Sequence, residues 1–138
     1  MTRRVVPLVL LIALVTSSGL ALAAFPPTSP VKTGEIAIVG NPQAVAVDLD
    51  DDTAYVVSTT GSGRITAANP TLTATTSAAA GVQPSSVALD SDDDTIYVTD
   101  RNTPGELLVF TPALSLARQL PVFREPQGVA VHPIDDSV

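Results

Sequence analysis

Two runs of carboxylates hold the side chains best suited to chemistry. Asp48, Asp50 and Asp52 alternate in VDLDDDTAYV, and Asp90, Asp92 and Asp94 alternate in LDSDDDTIYV. Oxygen ligands spaced in this way suit Ca²⁺, a hard cation that collects oxygen donors. Both runs depart from an EF-hand loop. Neither has the glycine of its sharp turn, and Thr59 stands where that loop would place its final Glu. The simpler account makes them hairpin turns in which Asp side chains cap backbone N–H groups, with Ca²⁺ as the alternative.

Other candidates are fewer. His132 is the only histidine, and a general base or metal ligand can be made from it, but no Ser/His/Asp set accompanies it. Gly61-Ser62-Gly63 is too short to cradle a phosphate and reads as a turn. Arg64, Arg101 and Asn102 lie in or just past loops that follow strand-like segments, where they are candidates for ligand contact. There is no cysteine, which excludes disulfides, thiol chemistry, cysteine zinc sites and a lipid-anchored lipoprotein. The net charge is −7, and two of the basic residues, Arg3 and Arg4, belong to the leading segment. Such an acidic surface repels nucleic acid and anionic membranes, so the expected partner is a protein or a carbohydrate.

These residues sit in a repeat. NPQAVAVDLDDDTAYV begins at Asn41, QPSSVALDSDDDTIYV at Gln83 and EPQGVAVHPIDDSV at Glu125. Pro42, Pro84 and Pro126 are evenly spaced, since 84 − 42 = 42 and 126 − 84 = 42. The same step joins Val45, Val87 and Val129, maps Tyr55 onto Tyr97, and puts His132 in register with Asp48 and Asp90. A repeat of this length has few physical solutions. Alternating apolar residues over Ala44–Asp48, and β-branched and aromatic residues over Thr53–Val57 and Thr95–Thr99, select strands rather than helices. Third strands are expected at Arg64–Ala67 and Glu106–Phe110, and fourth strands at Thr71–Ser77 and Leu114–Leu120. The proline is expected just before each first strand enters its ladder, where a missing N–H costs nothing. Four short antiparallel strands per repeat describe a blade of a β-propeller.

The pattern P-x-x-V-A-[VL]-D-x-D-D-D-T-x-Y-V resembles the NHL and YVTN-type repeats of extracytoplasmic bacterial propellers. Tyr97-Val98-Thr99-Asp100 is close to the tetrad that names the second type, whereas Tyr55-Val56-Val57-Ser58 departs from it after the first valine. The resemblance implies an all-β propeller of about two and a half repeats in an incomplete ring. It extends to binding scaffolds and to lactonase- or lyase-like enzymes with a metal in the central channel, and on the enzymatic alternative Asp48 and Asp90 would be two of the ligands.

Met1–Ala23 has the layout of a secretory signal peptide: Arg3 and Arg4, an apolar run from Val5 to Val15, then Ala21-Leu22-Ala23 as the processing site. An uncleaved anchor of about 20 residues is the competing reading, but the polar Thr16–Gly19 interruption favours cleavage and leaves no membrane span. The mature chain is then expected outside the cytoplasm, secreted or periplasmic. Residues 24–32 form a proline-rich linker, and residues 33–138 the partial propeller, with Thr33–Gly40 in register with a fourth strand. The third repeat breaks off inside its first hairpin, so a fragment is expected, completed by further blades or by self-association.

Overall fold

A computed structural model describes residues 34–73 and 75–132. The signal peptide and linker expected over residues 1–32 lie outside the described residues. The described chain is all β, with no helix, and forms two four-stranded antiparallel sheets that do not close on one another. Strands β1 (Asn41–Val47), β2 (Ala54–Thr60), β3 (Ser62–Ala68) and β4 (Thr75–Ala79) pair in chain order. Strands β5 (Pro84–Asp90), β6 (Thr95–Asp100), β7 (Gly105–Phe110) and β8 (Leu116–Val122) do the same.

The pairing register carries the repeat step through both sheets. Val45 pairs with Val56 and Val87 with Val98; Val57 pairs with Ile65 and Thr99 with Leu107. Pro42 pairs with Ser58 and Pro84 with Asp100, and each ladder then skips a residue, Gln43 or Ser85. The prolines are therefore inside the ladder rather than ahead of it. A bulge beside each one absorbs the missing donor. Of Thr33–Gly40, expected as a fourth strand, the described residues 34–40 form no strand, although the Ser58 hydroxyl donates to the Val39 carbonyl at 2.8 Å.

Cross-strand partners share a face, so the register defines the packing. Ala44, Val57, Ile65 and Ala78 share one face of the first sheet with Ala46, Tyr55 and Ala67. Val87, Val98 and Leu108, with Leu89, Ile96 and Phe110, share one face of the second. These two sets form a single core, in which Val57, Ile65, Ile96 and Val98 are 0% exposed. Each such side chain is worth about 1.5–3 kcal/mol when removed from water.

The join between the sheets is tight. Gly63 N–H donates to the Gly81 carbonyl and Ala80 N–H to the Gly63 carbonyl, both at 3.0 Å. A Cβ on Gly63 would collide with the Ala80 carbonyl oxygen and the ring of buried Pro84. Gly105, its equivalent in the next repeat, stands in the same relation to the Phe123 carbonyl and Pro126. Gly63→Ala is expected to destabilise the fold by about 1–3 kcal/mol through overpacking against backbone. Gly61 has φ +71 but open space around it, so Gly61→Ala is expected to cost only about 1 kcal/mol of backbone strain. Urea unfolding of the two variants would test this order, and an equal loss in both would refute the close approach.

Candidate functional site

Each acidic run folds as a hairpin turn closed by its own carboxylates. Asp48 Oδ1 accepts from Asp50 N–H at 2.9 Å, and Asp90 Oδ1 from Asp92 N–H at 3.1 Å. Asp51 Oδ1 accepts from Thr53 N–H at 2.8 Å, and Asp93 Oδ1 from Thr95 N–H at 3.0 Å. Asp52 and Asp94 take φ of 60° and 58°, the left-handed region that Asp tolerates better than most residues. Asp48 and Asp90 are buried, whereas Asp50 and Asp92 are exposed. Among the described residues no group of three or more Asp, Glu or His is placed to hold a metal ion.

Across the gap between the sheets, Asp94 meets Asp48. Partial withdrawal from water raises the Asp94 carboxyl above its ordinary range. The Asp48 charge, a hydrogen bond shared with Asp48, and the charges of Asp50 and Asp51 push it the same way. Asp51 moves down instead, held by hydrogen bonds from the Thr53 side chain and backbone. Burial raises the Tyr55 phenol, with Asp51, Asp48 and Asp94 adding to the effect.

The opposite end of the strands is organised by a different carboxylate. Asp100, 1% exposed, accepts from Val82 N–H and Gln83 N–H at 2.8 Å each and from Asn102 N–H at 3.1 Å. Gly81, with φ +68, brings the backbone so close to Asp100 that a Cβ would strike its carboxylate. Arg101 N–H donates to the Gln83 carbonyl at 3.1 Å. This clamp fixes the segment between the sheets against the end of β6. In the first sheet Ser58 takes the equivalent position and donates a single bond, to Val39.

Beside the clamp is an open cleft of about 340 Å³, lined by Thr59, Gly61, Val82, Gln83 and Arg101. Of the three loop residues expected to contact a ligand, only Arg101 lies in it. The Arg64 guanidinium donates to Ser77 Oγ at 2.6 Å on the exposed face of β3. Asn102 serves the clamp through its backbone. Exposed His132 lies at the end of the described chain. Thr59 and Gln83 line the cleft as well, without being expected as ligand contacts from their sequence context, although Thr59 is the counterpart of Arg101 in the preceding repeat.

No family profile and no curated protein matches the chain. Among solved structures it is similar to hydrazine synthase from Kuenenia stuttgartiensis, with a TM-score of 0.62 and 18% identity over 76% of this chain and 30% of that one. At that identity the likeness is one of fold, and the chain spans less than a third of its neighbour.

Two outcomes follow from these carboxylates. Asp100→Ala leaves three N–H groups without their acceptor and is expected to cost roughly 3 kcal/mol or more, against about 1 kcal/mol for Ser58→Ala. Comparable losses in chemical unfolding would dismiss the clamp. Asp94 binds its proton more tightly folded than unfolded, so its contribution is complete below its ordinary value of 3.8. That contribution is lost as pH rises through the raised folded value. Asp94→Asn is therefore expected to raise the Tm at pH 7 and to leave it nearly unchanged at pH 3. A pH-independent shift would exclude the repulsion.

Proposed function

We propose that the chain is a segment of a secreted or periplasmic β-propeller of the NHL/YVTN type that acts as a binding scaffold. The observation that carries the fold is the pairing register. The two sheets pair at positions one repeat apart, bulge beside the same proline, and stack through a face that the repeat regenerates. The likeness to part of hydrazine synthase supports the architecture alone.

Recognition is favoured over catalysis by where the polar groups are used. Asp48, Asp51, Asp90 and Asp93 accept backbone N–H groups of their own turns, and Asp100 accepts three. Thr59, Gln83 and Arg101, by contrast, face an open cleft. The uncovered sheet faces, with Val45 and Val47 on one side and Leu120 and Val122 on the other, are where neighbouring blades would pack, supplied by further chain or by another copy.

The test is a sedimentation assay of the full secreted chain with purified bacterial cell wall, run alongside a lactone hydrolysis assay with added Ca²⁺. Retention without turnover is expected. Lactone hydrolysis that a chelator abolishes would overturn the scaffold reading in favour of an enzyme.

A further inference from the structure

Arg101 is a half-buried cation in a protein of net charge −7. Its backbone is held by Gln83 and by the adjoining Asp100 clamp, so the base of its side chain is fixed. Yet no hydrogen bond or ion pair engages its guanidinium among the described residues, and the same is true of the Gln83 amide and the Thr59 hydroxyl. In an acidic protein, a partly buried guanidinium left without a carboxylate is a place where a ligand can supply the missing charge. All three groups line the same cleft, with Val82 and Gly61 completing its wall.

The geometry points to a binding site for the carboxylate of a sugar-sized, hydroxyl-rich molecule, an acidic sugar with a hexuronate as its simplest form. This rests on the binding-scaffold reading and assigns it a ligand class. A guanidinium offers parallel N–H donors that match a carboxylate in a two-pronged pair. The Gln83 amide both donates and accepts, as does the Thr59 hydroxyl, and together they suit neighbouring sugar hydroxyls. Val82, 44% exposed, gives the apolar face of a sugar ring something to rest on. The charge count favours a carboxylate over a phosphate dianion. Arg101 is the one cation lining the cleft, and the carboxylate of Asp100 is its neighbour in sequence. With Asp100 counted, a monoanion leaves one surplus negative charge and a dianion two, the heavier cost in an acidic protein.

The experiment is an NMR titration of the intact chain with galacturonate, galactose and inorganic phosphate at constant ionic strength. Galacturonate is expected to shift the Gln83 side-chain amide and the Arg101 backbone amide saturably, and galactose to bind at least about tenfold more weakly. Arg101→Gln should weaken galacturonate by a similar factor with an unchanged Tm, and Arg64→Gln should leave it unaltered. Wild-type affinity in Arg101→Gln, or phosphate binding as tight as that of galacturonate, would overturn the proposal. If galacturonate leaves the cleft unperturbed while the chain is still retained on cell wall, the ligand assignment fails and the scaffold reading stands. If neither binds, both fail.

Discussion

Tyr55 and Tyr97 hold the same position in the two sheets, and their surroundings differ in one respect. Tyr55 is 3% exposed because the second sheet lies over it, whereas Tyr97 remains partly open. Each sheet has apolar residues on both faces, so each must be covered by another sheet or leave that area in water. Burial between consecutive sheets is the interaction on which the rest depends. The strands are only five to seven residues long, and a lone four-stranded meander of that size has little else to hold it. The segment Pro126–Val131 begins to cover the second sheet: the Ser85 hydroxyl donates to the Pro126 carbonyl at 2.7 Å, and Val129 N–H reaches Ser86 Oγ at 3.4 Å. The first turn of that segment also repeats. Gln127 Nε2 donates to the Glu125 carbonyl as Gln43 Nε2 donates to Asn41.

Stacking fixes what the joining segments must do. The chain leaves β4 at the edge of one sheet and must enter β5 on the far side of the next. It crosses over Gly63, where no side chain fits, and is held by Asp100 from the other direction. A short, crowded join limits the angles at which the sheets can meet, and with them the side chains that can interdigitate. Ser58, at the position equivalent to Asp100, holds the segment that enters β1 less firmly, with one donated bond instead of three accepted ones.

Much of the fold was legible in the sequence because a period and an alternation are one-dimensional signals. The repeat step predicts equivalent positions, and the pairing of β1 with β2 and of β5 with β6 agrees with it. The alternation at Ala44–Asp48 predicts the strand but points to Val45 and Val47 as its packed residues, whereas both are exposed and Ala44 and Ala46 face the core. Strand ends were less legible. β3 begins at Ser62 rather than Arg64, because its ladder with β2 runs out to Thr60 and Ser62, and β4 at Thr75 rather than Thr71, which lies in the turn after β3. The acidic runs were readable as turns because Asp caps its own neighbours. The roles of Asp100 and Gly63 were not. Asp100 finds Val82 and Gln83, and Gly63 finds Ala80, Gly81 and Pro84, far along the chain and across a join. No local pattern encodes such contacts. Arg101 is marked by its loop, whereas Gln83 enters the same cleft only because the join folds over the end of β6.

Up-and-down topology then sorts the charges. The turns from β1 to β2 and from β5 to β6 lie at one end of the strands and gather Asp48, Asp50, Asp51, Asp52, Asp90, Asp92, Asp93 and Asp94. The turns from β2 to β3 and from β6 to β7, with the crossing between the sheets, lie at the other end and carry Arg101. At the acidic end the sheets bring like charges together, as at Asp94 and Asp48, and they pack in spite of that repulsion. At the opposite end Asp100, the one buried carboxylate there among the described residues, is saturated by backbone donors, so Arg101 beside it remains available. The same repeat that strains the acidic end therefore leaves a cation uncompensated at the other. An anion drawn to this protein meets repulsion over one end and finds the half-buried guanidinium of Arg101 at the other.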